Sequence, residues 1–204
     1  MPAYPHHPIL RESFARIDAE YGPCDRPAEE YALLQRVIHS TADFDYRHLL
    51  VCSPGAIAAG MEAIAAGAPV LTDVDMVRQG IRGVISRTFA NPLLCALDFA
   101  EDADPGRTRT ETGLLRAIAT HPQAVVVIGN APTALLALVE AIAQGQANPA
   151  LVIGVPVGFV AVVESKQALA ALPVPQIRVE GRKGGSPVAA ALVNALAIRA
   201  WEAI

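Results

Sequence analysis

AVVVIGNAPTALLALVEAIAQG, residues 124–145, joins a continuous apolar run to an amphipathic stretch through the turn GNAP. The run AVVVIG is short and rich in β-branched residues, as expected of a strand that is buried on both faces. In TALLALVEAIAQG the apolar residues recur about every 3.6 positions, which predicts a helix, and Pro132 suits its first turn. A strand followed at once by a helix is the repeating unit of a parallel α/β sheet.

The same alternation extends in both directions along the chain. We predict five buried strands, at PVLTDV (69–74), LLCALDF (93–99), AVVVIG (124–129), ALVIGV (150–155) and PQIRVE (175–180). We predict helices at GAIAAGMEAIAAG, GLLRAIATH, TALLALVEAIAQG, VVESKQALAAL and PVAAALVNALAIRAWEAI, after two amphipathic helices at ILRESFARIDAEY and PAEEYALLQRVIHS. The second of these opens with Pro27 at a plausible first helical position. The order predicts an α/β fold of three layers: a mostly parallel, Rossmann-like sheet of about five strands flanked by helices, with an N-terminal helical segment.

Length and composition limit the classes of protein to which the chain can belong. Its 204 residues suffice for one substantial core, so we expect residues 1–204 to form a single α/β domain. No apolar stretch reaches the roughly 20 residues that cross a bilayer. The net charge of −4 argues against a nucleic-acid surface and against an anchor on anionic membranes. Three widely spaced cysteines (Cys24, Cys52 and Cys95) and a start without a secretory signal predict reduced thiols and a cytoplasmic location.

The cations are mostly arginine, with fourteen Arg and only Lys166 and Lys183 as lysines. A guanidinium forms a bidentate fork with a carboxylate or a phosphate, so this composition suits a carboxylate-rich ligand. Codon usage is the alternative explanation. In an open parallel sheet, ligands gather where the strands end, which directs attention to the loops that follow them. Those loops carry Thr72 and Asp73, the polar segment 101–113, Gly129 and Asn130, Gly158, and GRKGGS at 181–186.

The segment RVIHSTADFDY (36–46) places several polar side chains at the end of a predicted helix. His39 can give and take protons near neutral pH, and Asp43 is a candidate to orient it. The alternative is that His39 interacts only with the helix C-terminus while the residues from Ser40 to Asp43 form a turn. Ser40 beside His39 is no sign of a nucleophile and base pair, because adjacent helical residues point in different directions.

The loop GRKGGSP (181–187) lies between a predicted strand and a long helix, with Ser186 and Pro187 suited to the N-cap and first turn. Its glycines, with Arg182 and Lys183, resemble an oxyanion-binding loop, and an ordinary flexible connection is the alternative. In GNAPTAL, Asn130 either bonds a ligand or closes its own turn. The sequence matches no nucleotide-binding motif.

Other charged and metal-binding residue types point to no site. Arg78 and Arg82 are one helical turn apart, which either builds a cationic face or solvates the surface. Glu164 and Lys166 are interpreted as surface charges at a helix start. His6, His7, His48 and His121 lack the spacing of a metal site, so we expect neither a metal nor a cofactor.

Five segments in this order resemble the precorrin-8X methylmutase family of cobalamin biosynthesis, and the resemblance covers nearly the whole chain. The segments are RVIHSTADFDY, GAIAAGMEAIAAGAPVLTDVDMVRQGI, VVVIGNAPTALLAL, GFVAVVESK and GRKGGSPVAAALVNAL. The resemblance implies an isomerase, an intramolecular methyl transferase that moves a methyl group from C-11 to C-12 of precorrin-8X to give hydrogenobyrinic acid. The alternative substrate is cobalt-precorrin-8, which gives cobyrinic acid.

The resemblance also implies the roles of individual residues. The histidine of the family's H-[ST]-T-x-D-F segment matches His39, which is expected to protonate and later deprotonate a ring nitrogen near the migrating methyl group. The expected contacts to the tetrapyrrole substrate and product are Ser13, Arg36, Ser40, Thr41, Arg109, Gly129, Asn130, Lys183, Gly184 and Gly185. A homodimer without a metal or organic cofactor of its own is expected.

Two rival functions stay open at this point. An α/β enzyme acting on a phosphorylated metabolite would use the GRKGGS loop for the phosphate and His39 as general base. A noncatalytic tetrapyrrole carrier would use His39 only for binding. Failure to bind any corrinoid favours the first rival, and normal turnover after replacement of His39 excludes that residue as the proton carrier.

Overall fold

The computed structural model of the protein describes residues 4–204. Helices and strands alternate along this part of the chain. In chain order they are α1 (Pro8–Tyr21), α2 (Ala28–Thr41), α3 (Tyr46–Leu49), β1 (Leu50–Cys52), α4 (Ala56–Ala65), β2 (Val70–Thr72), α5 (Asp75–Ile85), β3 (Leu93–Cys95), α6 (Arg109–Thr120), β4 (Val125–Ile128), α7 (Pro132–Ala143), β5 (Leu151–Gly154), α8 (Val162–Ala170), β6 (Gln176–Val179) and α9 (Ser186–Glu202).

These strands form one sheet in the order β1-β6-β5-β4-β2-β3. Five strands are parallel to one another, and β1 pairs with β6 in the antiparallel direction, with Leu50 opposite Val179. From β2 the chain runs outward to β3 and then returns to β4 on the other side of β2. The strand order therefore reverses between β2 and β4, which is where open α/β sheets commonly bind ligands.

Helices cover both faces of the sheet because the central strands are apolar on both faces. In β4, Val125 and Val127 join the hydrophobic cluster built with α4, α5 and α9. Val126 and Ile128 join the opposite cluster, to which α6, α7 and α8 contribute. This alternation follows from the two-residue period of a strand. The helices α1 and α2 lie outside α9 as a further layer on the first face.

Helix α9 is buried along most of its length, as expected of a helix that is apolar on every side. It packs against α2, α4 and α5. Glycines on its neighbours allow this close approach: a Cβ on Gly80 would lie 2.7 Å from the Cβ of Ala190, and one on Gly129 would lie 3.0 Å from that of Ala189. An ion pair between Arg199 and Glu29 joins α9 to α2 at its outer side.

The predicted α/β class and all five predicted strands are confirmed, with local corrections. The helices α3 and α5 were not among the predicted ones. A sixth strand, Leu50–Cys52, was not predicted, and the segment predicted as strand 93–99 turns into a 3-10 helix over Ala96–Phe99. Pro27 is the N-cap of α2 and lies outside the helix. Ser186 is the first residue of α9, and Gly185 is its N-cap.

The polar connection is shorter than predicted. Helix α6 already begins at Arg109, because Thr108 and Glu111 form a capping box in which each side chain bonds the other residue's backbone amide. Within residues 4–204, no helix combines the length and the apolar character that crossing a bilayer requires.

Candidate active site

His39 lies in the last turn of α2 and is exposed. Its Nδ1 atom is 2.7 Å from the Oγ atom of Ser13, which α1 brings to it when the two helices pack together. The ring also contacts Phe14 edge-on, with 5.6 Å between the ring centroids. The other ring nitrogen, Nε2, has no hydrogen-bond partner within residues 4–204. The imidazole is thus oriented through one nitrogen and can exchange a proton through the other.

Arg36 lies one helical turn before His39 and contacts the same phenyl ring, with its guanidinium carbon 5.7 Å from the ring centre of Phe14. Burial lowers the pKa of Arg36, and Tyr4 and Glu202 act in the opposite direction. Among residues 4–204, no carboxylate forms a salt bridge with Arg36. A partly buried cation without an ion-pair partner in this part of the chain suits a carboxylate of a ligand.

The pKa of His39 lies below its ordinary value, first because neighbouring atoms remove part of the hydration of the ring and second because of the charge of Arg36. The imidazolium of His39 is therefore a stronger acid than that of an ordinary histidine. Asp43 was a candidate to orient His39, and this hypothesis is wrong, since the orienting group is the Ser13 hydroxyl and Asp43 binds Lys183.

We expect Arg36→Met to raise the pKa of His39, because the substitution removes a positive charge that opposes protonation of the ring. An NMR titration of the histidine ring signals measures the change. Arg16→Met, in which an exposed arginine paired with Glu12 is removed from α1, is the matched control and should leave the His39 titration unchanged. An equal or lower pKa in Arg36→Met would contradict this assignment.

Ser40 and Thr41 turn their hydroxyl groups back into their own helix. Both donate to the carbonyl oxygen of Val37 at 2.9 Å. The backbone amide of Asp43 also approaches the Thr41 Oγ1 atom at 3.3 Å. Helix α2 ends at Thr41, and its C-cap residue Ala42 has a φ of 53°, the left-handed conformation typical of a helix C-terminus. Ser40 and Thr41 are therefore next to His39 in the fold but already hydrogen-bonded.

Lys183 joins the loop after β6 to the turn that follows His39. Its Nζ atom lies 2.6 Å from a carboxylate oxygen of Asp43 and 2.6 Å from one of Asp45. The hydrogen bond from Lys183 holds the pKa of Asp43 below its ordinary value, and the two carboxylates raise the pKa of Lys183. The structure thus brings together two of the predicted segments, around His39 and around Lys183.

Two glycines of the same loop have backbone conformations that favour glycine. Gly184 has φ 147°, and a Cβ there would lie 2.3 Å from the carbonyl oxygen of Val155. The amide of Gly185 donates to that carbonyl at 2.8 Å, so this amide is already used inside the protein. The loop packs directly on the end of β5, which explains its glycines.

Lys166 was interpreted as a surface charge, and this interpretation is wrong. The side chain is only 1% exposed, and its Nζ atom donates to the carbonyl oxygens of Gly181 (2.8 Å) and Lys183 (2.7 Å). Its neighbour Glu164 is exposed, as predicted. The spacing along α8 could have indicated the burial of Lys166, because Val162, Lys166 and Leu169 lie on the same, buried side of that helix.

The loop after β4 binds a carboxylate of the protein itself. Asp73, at the end of β2, accepts hydrogen bonds from the amides of Gly129 (3.1 Å), Asn130 (2.7 Å) and Ala131 (2.8 Å). Asp73 is fully buried, and this burial raises the pKa of its carboxyl while the three amides act in the opposite direction. The place where the strand order reverses is therefore filled by a carboxyl group of the chain itself. The side chain of Asn130 is exposed there.

Arg109 lies beside β3, at the far end of the same sheet edge. Its guanidinium donates to the carbonyl oxygens of Ala100 (2.7 Å) and Leu97 (3.0 Å), so it holds the 3-10 turn in place. Four strand spacings separate β3 from β6, about 19 Å in one chain. Arg109 remains a predicted contact, but this structure does not bring it to His39.

Arg78 and Arg82 differ in their surroundings although both lie on α5. Arg78 bonds the carboxylates of Asp75 and Asp98, whereas Arg82 is exposed. A cavity of about 640 Å³ lies at the amino ends of the strands, opposite this edge. Its lining is mostly alanine and proline without a charged side chain, which does not suit a ligand rich in carboxylates.

The chain is similar to known proteins over nearly its whole length. The sequence profile described as precorrin-8X methylmutase matches residues 8–199. A cobalt-precorrin-8 methylmutase from Synechocystis is 58% identical, with 96% of this chain and 97% of the relative covered. A precorrin-8X methylmutase from Pseudomonas aeruginosa is 46% identical, with 93% of each covered.

A crystal structure of a precorrin-8X methyl mutase from Thermus thermophilus superimposes with a TM-score of 0.87 at 44% identity. It covers 97% of this chain and 99% of that one. The sequence profile, the relatives and the fold thus agree over nearly the full length. The chain belongs to the precorrin-8X methylmutase family, a family of isomerases in cobalamin biosynthesis.

Proposed function

We propose that this protein moves a methyl group from C-11 to C-12 of a precorrin-8 macrocycle, with His39 as the proton carrier. The observation that carries the proposal is the orientation of His39: Nδ1 is held by Ser13, and Nε2 has no partner within residues 4–204. Arg36 beside it is a cation without a carboxylate partner in the same part of the chain. A site for a tetrapyrrole that carries carboxylate side chains needs both features.

In this mechanism, protonated His39 gives its Nε2 proton to a ring nitrogen near the migrating methyl group. The bond between the methyl carbon and C-11 breaks as the bond to C-12 forms. The same nitrogen of His39 then takes the proton back, so the reaction is an isomerisation without net redox change. The lowered pKa of His39 assists the first step, because a stronger acid protonates a weakly basic nitrogen more readily.

Arg36, Lys183 and the exposed side chain of Asn130 are the proposed polar contacts around the macrocycle. Ser13 contacts His39 directly, so we propose that it orients the imidazole as well as facing the substrate. The backbone beside these contacts belongs to Ser40, Thr41, Gly184 and Gly185. The backbone N–H groups of Gly129 and Asn130 already donate to Asp73, so they are not available to the substrate.

The hydrogen bonds of Asp73 weigh against an enzyme that acts on a phosphorylated metabolite. The three amides at the strand reversal are the natural phosphate site of an open α/β sheet, and Asp73 occupies them. A phosphate would have to displace a buried carboxylate from three hydrogen bonds.

Anaerobic incubation of the purified protein with precorrin-8X tests the function directly. We expect the absorbance spectrum of hydrogenobyrinic acid to appear. A parallel incubation with cobalt-precorrin-8 tests the cobalt-containing substrate, which the 58% identity to a cobalt-precorrin-8 methylmutase favours. If either macrocycle binds tightly but the product spectrum does not appear, the protein is a noncatalytic tetrapyrrole carrier. If neither macrocycle binds, the proposal is refuted.

We further propose a cytoplasmic homodimer. The thiols of Cys24, Cys52 and Cys95 are free, which suits a reducing compartment. Phe159 and Val160 are 84% and 83% exposed in the loop after β5, beside the 181–185 loop. Exposed apolar side chains of this kind commonly mark a protein interface. Light scattering should give twice the chain mass of 21.4 kDa, and a value equal to one chain would contradict the dimer.

A further inference from the structure

Lys166 is a buried cation whose hydrogen bonds within residues 4–204 go only to backbone carbonyls. Its ammonium group donates to Gly181 at 2.8 Å and to Lys183 at 2.7 Å, and the side chain is 1% exposed. Burial lowers its pKa to about 8, although Glu180 acts in the opposite direction. Fully buried lysines are rare because burial removes hydration from the charge. A local requirement must offset that cost.

The two carbonyls that Lys166 binds belong to the loop from Gly181 to Gly185. The loop is also held from its other sides: the Gly185 amide donates to Val155, and the Lys183 side chain binds the carboxylates of Asp43 and Asp45. Because Lys166 binds the carbonyl of Lys183 itself, it acts on the backbone of the residue whose side chain reaches the turn after His39. Lys166 itself is too deeply buried to contact a macrocycle.

We propose that Lys166 is a positioning residue that holds the 181–185 loop in the conformation that presents Lys183 and the adjoining backbone to the substrate. This inference rests on the proposed function, because that function places the loop at the substrate. An amine keeps two N–H donors even when it is neutral, so both carbonyls stay bonded whichever protonation state the lysine has.

The experiment compares substitutions of two buried hydrogen-bond donors, Lys166 on α8 and Gln176 on the adjoining strand β6. Lys166→Met removes the two hydrogen bonds to the loop and keeps the volume of the side chain. Gln176→Met is the matched control: Gln176 is 2% exposed, and its Nε2 atom donates to the carbonyls of Leu169 and Leu172, at the other end of α8. Hydrogen exchange of a peptide covering residues 179–188 reports on the loop, and titration with hydrogenobyrinic acid reports on binding.

We expect faster amide exchange in the 181–185 loop of Lys166→Met and a Kd for hydrogenobyrinic acid that rises about tenfold, equivalent to 1.4 kcal/mol. Gln176→Met should leave the exchange of this peptide and the Kd unchanged, even if both variants lose similar stability. In a double-mutant cycle, Lys183→Met should add little to the loss caused by Lys166→Met, because both act through one loop. If Lys166→Met does not fold, Lys166→Gln takes its place: its side chain is one atom shorter and should weaken both hydrogen bonds, so the same changes in exchange and Kd are expected on a smaller scale.

Unchanged exchange in Lys166→Met, or the same increase in Gln176→Met, would overturn the inference. Faster exchange with an unchanged Kd would overturn the loop's part in substrate binding. Failure of the proposed function is distinguishable, since wild-type protein would then bind no macrocycle. The exchange comparison needs no ligand and decides by itself whether Lys166 holds the loop.

Discussion

Replacement of His39 by alanine should abolish most of the isomerisation and leave the fold intact. We expect kcat to fall on the order of a thousandfold, the range of a lost general acid and base, with a much smaller change in the affinity for the macrocycle. The physical reason is that His39 is exposed and joined to the protein by one hydrogen bond, from which little stability derives. Single-turnover absorbance spectra under anaerobic conditions measure the loss.

His48→Ala is the matched control for this variant. His48 is another exposed histidine, nine positions further along the chain, and the proposed mechanism gives it no role. It should turn over like the wild type. Normal turnover by His39→Ala would show that another group carries the proton, and a collapsed melting transition in circular dichroism would show that the imidazole supports the fold.

Replacement of Asp73 by alanine should have the largest effect on stability among the substitutions considered. The carboxylate is fully buried, and its loss leaves the amides of Gly129, Asn130 and Ala131 without an acceptor. Unsatisfied buried donors cost about 1–3 kcal/mol each, so we expect the free energy of unfolding to fall by about 4 kcal/mol. For a chain of this size, that corresponds to a melting temperature about 10 °C lower.

Asp75→Ala is the control for the Asp73 variant. Asp75 is an exposed aspartate two residues later whose main partner is Arg78, which also bonds Asp98. Its loss should change the free energy of unfolding by no more than about 0.5 kcal/mol, as is usual for surface residues. Equal melting temperatures for the two variants would mean that water replaces the Asp73 carboxylate at no cost, contrary to the prediction.

Most of the fold could be predicted because its signals are local. The strands β3, β4 and β5 are continuous apolar runs, and the predicted helices have their own periodicity. The strand Leu50–Cys52 could not be found in this way, because it is three residues long and follows a short helix directly. Its existence depends on pairing with β6, which is distant in the sequence.

The site could be predicted only in part for the same reason. Resemblance to a family pointed to Ser13, Arg36 and His39, but the hydrogen bond between Ser13 and His39 arises from the packing of two helices. Burial of Lys166 and Asp73 depends on which carbonyls and amides other elements bring near them. Charged residues are usually exposed, so sequence reasoning assigned Lys166 to the surface.

The antiparallel pairing of β1 with β6 also bears on how the molecule forms during synthesis. Leu50 cannot pair with Val179 until the later residue has been synthesised. Likewise, α9 covers the apolar side of helix α2, which carries His39, only after nearly the whole chain has been made. Contacts between such distant parts of the chain form late, and folds that depend on them fold slowly. The helices that carry Ser13 and His39 therefore emerge from the ribosome long before the partners that order them. Until then their apolar faces are uncovered, and exposed apolar surface of this kind favours aggregation.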